Sequence, residues 1–249
     1  MSVRLNIKKS VFEVVDTGGE FIVKPPVAHY AELPENEDLT MRLAEMAGMN
    51  IPLHGLVYAK DGTLSYFVKR FDRAGRGRKI PLEDFAQLSG KDRNTKYRSS
   101  MEQVSLIIDE FCTFPALEKV KLFHLTLFNY LTGNEDGHLK NYSLIRLGDR
   151  IELSPAYDLV NTTIIMNAKE EIALPLNGKK NKLTRDDFFR YFAVERLNLS
   201  VKSVDKTIKS LLAAYPGWLD CIGKSFLSDG MKTIYVELLQ KRAHVLGIN

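Results

Sequence analysis

Residues 115–144 restrict what this chain can fold into more than any other stretch. A helix-spaced apolar series, Val120, Phe123, Leu127 and Leu131, opens at Pro115 and stops at Gly133. There GNEDGHLKNYSL packs an Asn, a Glu, an Asp, a His, a Lys and a second Asn ahead of the next apolar strand. Proline suits a first helical turn and glycine ends helices, so the helix limits fall at those two residues. Polar groups crowded on a short loop beside a long apolar helix read as a functional loop, because a plain connection has no use for them.

The flanking segments set the frame. Val3, Leu5 and Ile7 alternate with polar residues, Gly18-Gly19 supplies a turn and EFIVK follows, which predicts the start of a small sheet. After Pro25-Pro26, Leu39, Leu43, Met46 and Ala47 predict a helix over about 35–49, stopped by Gly48 or Asn50. GLVYA and LSYFVK around Asp61-Gly62 predict a hairpin. From Pro81 onward helix patterns dominate. Ser99-Ser100 cap a helix carrying Val104, Ile107, Ile108 and Phe111, and SLIRL and RIELS form one hairpin around Gly148-Asp149. Thr184 and Asp187 then make a capping-box pattern ahead of a helical remainder. The strand pattern stops between Val68 and Arg73. The expectation is therefore an α+β chain in two lobes, a sheet with one helix over 1–70 and a mainly helical lobe over 71–249, together one domain.

The 249 residues, 45% hydrophobic and 27% charged, suffice for one generous core or two small lobes. No apolar run reaches the ~20 residues of a membrane span, and no signal-peptide pattern opens the chain, so no membrane association is expected. Cys112 and Cys221 sit in apolar helical patterns, which predicts core burial, a reducing compartment and a cytoplasmic location. A net charge of +4 permits an anionic ligand such as a nucleotide without demanding nucleic acid.

Asp136 and Asn141 stand five apart, and Asp158 follows seventeen residues later in LSPAYDLVNT, after the second hairpin. Phosphoryl transfer from ATP needs a carboxylate to orient the attacking hydroxyl, hard oxygen ligands for Mg2+ and a cation on the phosphates. Asp136, Asn141 with Asp158, and Lys24 supply these parts, and Glu37 on the next helix is placed to hold Lys24. D-x-x-x-x-N followed by a hairpin and an Asp is the catalytic-loop to metal-loop order of protein kinases. The spacing alone recurs by chance; the full order of strand lysine, helix glutamate, hairpin, long helix, loop, hairpin and aspartate carries the reading.

Singly, these residues have plainer roles. Asn141 suits a turn, Lys24 a strand end, and Glu37 an acidic helix start. His138 lies among oxygen donors and reads as an organiser of the loop, while Lys140 is divided between a phosphate and solvent. Lys69, Arg70, Arg73, Arg76, Arg78 and Lys79, broken by Gly75 and Gly77, read as a solvated loop or as a cleft mouth attracting anions. Lys179, Lys180 and Lys182 repeat that signal more weakly, and Trp218 and the methionines read as core. A metal-dependent phosphoesterase built on GNEDGH and a nucleic-acid binder using the arginine run remain open.

FIVKPP, PENEDLTMRLAEMAG, YFVKRFDR, GNEDGHLKNYSL, LSPAYDLVNT and LPLNGKKNKLTRDDFF together closely resemble the HipA-like serine/threonine kinases, toxin halves of bacterial toxin–antitoxin pairs. The resemblance covers nearly the whole chain. It implies a two-lobed protein-kinase-like fold, ATP and Mg2+ as cofactors, Asp136 as the catalytic aspartate, Asn141 and Asp158 as metal ligands, and Lys24 as the ATP lysine. The backbone of Val68, Lys69 and Arg70 matches the hinge that binds adenine. Glu37, His138 and Lys140 complete the candidate ATP site. The resemblance further implies a HipB-like antitoxin partner, DNA contact only through that antitoxin, and an aminoacyl-tRNA synthetase as the protein substrate. The family's glycine-rich phosphate loop, reading like G-V-Q-P-K, precedes the strand that here begins at residue 3, and residues 1–10 hold no glycine. The chain is thus expected to start just after that loop and its autophosphorylated serine. The alternative is a catalytically impaired, pseudokinase-like module that holds its antitoxin without efficient phosphotransfer.

Overall fold

The computed structural model describes residues 1–75, 78–92, 94–166 and 169–248. Its N-terminal part is an antiparallel sheet of β1 (Ser2–Asn6), β2 (Val11–Val14), β3 (Phe21–Lys24), β4 (His54–Tyr58) and β5 (Leu64–Lys69), in the order β2-β1-β3-β5-β4. Strand alternation decides what faces the site. Val23 lies opposite Phe67, and with Val3, Phe12 and Phe21 these residues form a small outer core. Its three phenyl rings have centroids 5.2 to 6.1 Å apart. One residue on, Lys24 lies opposite Tyr66, on the face that looks toward the helix following β3. A one-residue slip would put Val23 in the site instead. The alternation read through Ile7 ends early: β1 stops at Asn6 and Ile7 is exposed in the turn.

That helix, α1 (Leu33–Met46), begins sooner than expected, with Pro34 in its first turn. It is buried on most sides and carries Asn36, Glu37, Asp38 and Thr40 inward. Each of these four side chains has a partner, as burial demands, whereas the buried Glu35 Oε2 has none among the described residues. The Asn36 amide donates to the Asn161 carbonyl at 3.2 Å while its Oδ1 accepts from the Asn161 N–H at 2.8 Å. Asp38 pairs with Arg42 and His54, and Thr40 meets the Tyr235 hydroxyl at 3.0 Å. Trp218 Nε1 and Ser210 Oγ donate to the carbonyls of Leu43 and Ala47. α1 thereby ties the sheet to the helical part of the chain.

After β5 come a two-stranded ribbon, β6 (Arg73–Ala74) with β7 (Arg78–Lys79), and β8 (Leu82–Asp84). Both are departures from the sequence reading. The charged run is expected as a solvated loop or a cleft mouth, and helical structure is expected from Pro81 onward. The helical part comprises α2 (Phe85–Leu88), α3 (Met101–Phe111), α4 (Pro115–Thr132), α5 (Thr162–Met166), a π-helical segment (Asp187–Arg196), α6 (Val201–Lys224) and α7 (Asp229–Leu246). β9 (Ser143–Leu147) and β10 (Arg150–Leu153) form the expected hairpin, which β8 joins on the β9 side. The Ser100 side chain caps α3, and Gly133 closes α4 with φ +76°. The main core runs from Leu39 and Tyr66 through Phe123 and Phe128 to Trp218 and Tyr235. Met41 and Met101 are buried, but Met46 and Met166 are exposed, so methionine is core only in part. Cys112 is buried, Cys221 half-buried, and neither forms a disulfide. Among the described residues no helix is long and apolar enough to cross a membrane.

Candidate active site

The end of β3, the middle of α1 and the segment after β10 converge on one charge cluster. Lys24 Nζ lies 2.7 Å from Glu37 Oε1 and also donates to Asp158 Oδ1, whose other oxygen accepts from the Asn141 amide at 2.9 Å. The Glu37 side chain is 4% exposed, whereas Lys24 and Asp158 are 38% and 41% exposed, so the cluster has a dry end and a wet one. Burial pushes the Glu37 carboxyl up to about 7, against the opposing pull of the Lys24 ammonium. Burial by itself would lower Lys24, but the Glu37 and Asp158 carboxylates override it and hold the ammonium above its ordinary value. Asp158 has φ +59°, a left-handed conformation that costs a non-glycine residue about 1–2 kcal/mol. Such strain persists where surrounding bonds hold it, here those from Lys24 and Asn141.

The polar loop after α4 is held by its own side chains. Asn134 N donates to the Asn129 carbonyl at 2.9 Å, and Glu135 N donates to Thr162 Oγ1 at 2.8 Å. A 3-10 turn, Leu139–Asn141, follows, in which His138 Nδ1 accepts from Lys140 N and His138 N donates to Asn141 Oδ1, both at 3.2 Å. His138 Nε2 faces Lys96 Nζ at 2.5 Å and Asp136 Oδ1 at 3.8 Å. Burial lowers the His138 pKa; Asp136 acts against that and Lys96 with it. The Asp136 carboxylate is half exposed and accepts the Tyr97 hydroxyl. Lys140 is exposed, and its carbonyl accepts from the Tyr157 hydroxyl at 2.8 Å.

Two cavities meet at this cluster, and Lys24, Glu37 and Asp158 line both. The larger, about 550 Å³, contains Asp136 and Tyr97 with an apolar wall that includes Leu33 and Ile165. The smaller, about 360 Å³, is lined by Val68, Lys69, Arg70, Phe71 and Lys140. The three expected hinge residues therefore reach a cavity, but two of their N–H groups are committed. Lys69 N donates to the Leu53 carbonyl at 2.7 Å and Arg70 N to the Glu20 carbonyl at 2.8 Å, while the Arg70 guanidinium turns to Asp72. Among the described residues, Phe71 N, next to that span, donates to no acceptor.

Asn141 meets Asp158 through its amide N–H while its Oδ1 accepts from His138 N, and the two side chains carry the hard oxygens that suit a Mg2+ ion that keeps several waters and takes phosphate oxygens. No group of three or more His, Cys, Asp or Glu among the described residues is arranged to hold a metal by itself. The basic runs are in part internally paired. Arg70 and Arg73 both meet Asp72, Lys179 meets Asp187 at 2.9 Å, and Lys180 meets Glu170 at 2.9 Å. Arg76 and Gly77 lie outside the described residues.

Sequence reasoning did not reach Lys96, Tyr97 or Arg242, and it took Glu135 only as one of the loop's six polar groups. Lys96 and Tyr97 sit in a polar loop whose composition carries no signal. Arg242 left one: Leu239, Ala243 and Leu246 share the buried face of α7, and an arginine at 242 puts a cation on that face.

The family described as the HipA-like C-terminal domain matches residues 3–219. The Y4dM protein of Sinorhizobium fredii is 31% identical over 225 residues, covering 80% of this chain and 52% of its own. The serine/threonine-protein kinase toxin HipA of Shewanella oneidensis is 31% identical over 173 residues, covering 60% of this chain and 39% of the toxin. The chain thus spans about half or less of these two relatives' lengths. Among solved structures, the Shewanella oneidensis toxin–antitoxin complex of HipA, HipB and operator DNA superimposes with a TM-score of 0.76 at 25% identity, over 92% of this chain and 59% of that one. The Helicobacter pylori proinflammatory kinase CtkA shares the fold, with a TM-score of 0.64 at 17% identity over 92% of this chain and 88% of that one.

Proposed function

The chain belongs to the HipA-like C-terminal domain family, and we propose that it is an ATP- and Mg2+-dependent serine/threonine protein kinase of the HipA toxin type. The observation that carries the proposal is the position of the Lys24–Glu37–Asp158–Asn141 cluster between the two cavities, with Asp136 opening into the larger. In this reading residues 1–70 and 71–249 act as the two lobes of one kinase domain.

Adenine enters the smaller cavity, where Phe71 N–H supplies a donor. Lys24, held by Glu37, lies against the phosphates. Asn141 and Asp158 would hold Mg2+, which would neutralise charge on the phosphates. An acceptor hydroxyl from the larger cavity takes the place of the Tyr97 hydroxyl on Asp136. The carboxylate orients that hydroxyl and takes its proton as the new O–P bond forms and ADP leaves. Lys140, exposed at the cavity edge, is free to approach the transferring group. His138 shapes the loop.

The structural likeness to a HipA bound with HipB and operator DNA supports a HipB-like antitoxin as partner, with DNA reached through it. An aminoacyl-tRNA synthetase is the proposed substrate and the cytoplasm the proposed location. The test is phosphate transfer from labelled Mg-ATP by Asp136→Asn. Transfer is expected to fall by about 100-fold or more with Mg-ATP affinity retained. Full activity in the purified variant would refute the assignment.

A further inference from the structure

We infer that Arg242, on α7, is a positioning residue for Asp136, acting through Glu135; the inference rests on the kinase reading above. Arg242 lies beyond residues 3–219, the span matched by the family. Its guanidinium is nearly inaccessible, and so is its carboxylate partner, with side-chain exposures of 6% for Arg242 and 4% for Glu135. A buried ion pair is a poor device for stability, because apolar side chains of similar volume often serve as well. Its value here is geometric.

The two ends of the fork grip the two sides of the bend where α4 becomes the polar loop. Nη1 donates to the Tyr130 carbonyl, in the last turn of α4, at 2.6 Å. Nη2 donates to Glu135 Oε1 at 3.1 Å. The same oxygen accepts from Thr163 Oγ1 at 2.5 Å, and that hydroxyl also lies 3.0 Å from the Gly133 carbonyl. A planar guanidinium fixes both distances and the angle between them, which an ammonium cannot do. Glu135 Oε2 has no partner among the described residues, so Arg242 is the one charged group on this carboxylate, beside the Thr163 hydroxyl. Asp136 is the next residue. Its side chain is half exposed, and its backbone N–H is held only by Asn134 Oδ1 at 3.3 Å. On its other side the Asp136 carbonyl accepts from His138 N at 2.7 Å and its carboxylate from the Tyr97 hydroxyl, so the place of Glu135 sets the N-terminal anchor of Asp136.

The test compares Arg242→Met, Arg242→Lys and Glu135→Gln with the wild type. The readouts are phosphate transfer from Mg-ATP, Mg-ATP affinity, melting temperature and amide exchange over 133–138. Arg242→Met is expected to lower kcat by about tenfold or more, the range in which small displacements of reacting groups act, with the KM for ATP changed less than about twofold. Arg242→Lys should recover part of kcat, and the Arg242→Met/Glu135→Gln double variant should be no slower than Arg242→Met alone. Exchange over 133–138 should rise in both single neutral variants. An unchanged kcat in folded Arg242→Met overturns the inference, and so does a parallel loss of ATP affinity, which marks a purely structural role. If Arg242→Met fails to fold, Glu135→Gln decides by the same criteria. A wild type that transfers no phosphate defeats the kinase reading instead, and unchanged exchange would then also defeat the positioning of the loop.

Discussion

The Tyr97 hydroxyl donates a hydrogen bond to the Asp136 carboxylate, although 39 residues separate the two in the chain. The phenol ring stands edge-on to His138, with centroids 5.1 Å apart, and Lys96 Nζ lies 5.0 Å from the ring centre on its other contact. Burial and the adjoining Asp136 carboxylate raise the Tyr97 pKa, so the phenol stays protonated and remains a donor. The candidate base is thus presented with a hydroxyl at the place where an acceptor hydroxyl would stand.

Tyr97→Phe removes that competitor and keeps the ring packing. The KM for a protein acceptor is expected to fall by about three- to tenfold, the worth of a partly exposed hydrogen bond to a charged group, with the KM for ATP unchanged. Initial rates over a range of acceptor concentrations measure this. A loss of kcat at constant acceptor KM would instead make Tyr97 a support for Asp136.

Lys24→Met strands the Glu37 carboxylate, which is 4% exposed and has Lys24 as its ion-pair partner. Without the ammonium, Glu37 rises further above its ordinary range, so the unfolded chain ionises first and stability is lost as pH rises above the usual carboxylate pKa. The loss should reach about 1–3 kcal/mol at pH 8, discounted because Lys24 itself is partly exposed, and be smaller at pH 5.5. Urea denaturation at both values measures it. Lys24→Met/Glu37→Gln should recover the stability and leave Mg-ATP binding impaired, since Lys24 is the proposed phosphate cation.

β1, β3, β4, β5, β9 and β10, α1, the cap of α3 and the limits of α4 were legible because alternation, capping and punctuation are local properties, while β2 was not read. So was the convergence of Lys24 with Glu37: a lysine closing β3 and a glutamate one turn into α1 can hardly avoid the same cleft face. β8 was not legible, because three residues after a proline show no alternation. The β6–β7 ribbon was hidden by its charges, which Asp72 partly neutralises. The N–H groups that the sheet consumes at Lys69 and Arg70 were not legible, since only strand register reveals them. Tyr97 and Arg242 reach the site across 39 and 107 residues, and no local pattern encodes such pairings.

Gly133→Ala tests how tightly the polar loop is anchored. A methyl group there would lie 2.5 Å from Asn161 Oδ1, 2.6 Å from Leu238 Cδ2 and 2.8 Å from Thr163 Oγ1, at a backbone φ of +76°. Gly62 has φ +82° with no atom within 4 Å of the same added carbon, so Gly62→Ala isolates the backbone cost. Gly62→Ala should destabilise by about 1 kcal/mol and Gly133→Ala by roughly 2–4 kcal/mol, the excess being steric. Chemical denaturation of both variants measures the difference. Equal losses would show that the loop yields without strain.

His124, on α4, gives the fold a defined acid limit. Its Nε2 is buried without a hydrogen-bond partner among the described residues, beside a cavity of about 210 Å³ also lined by Lys121 and Asn141. Burial holds its pKa down at about 4, against an ordinary value of 6.5. Between those two values the unfolded chain takes up a proton that the folded one refuses. Stability from this group is therefore complete above pH 6.5 and lost as pH falls toward 4. The loss amounts to roughly 1–3 kcal/mol for a shift of this size at a side chain that is not wholly shielded. His124→Leu removes the titration and keeps an apolar filling. The difference in unfolding free energy between pH 7.5 and pH 4.5, measured by urea denaturation, should be smaller in the variant by that amount. Equal differences in variant and wild type would assign the acid sensitivity to other groups.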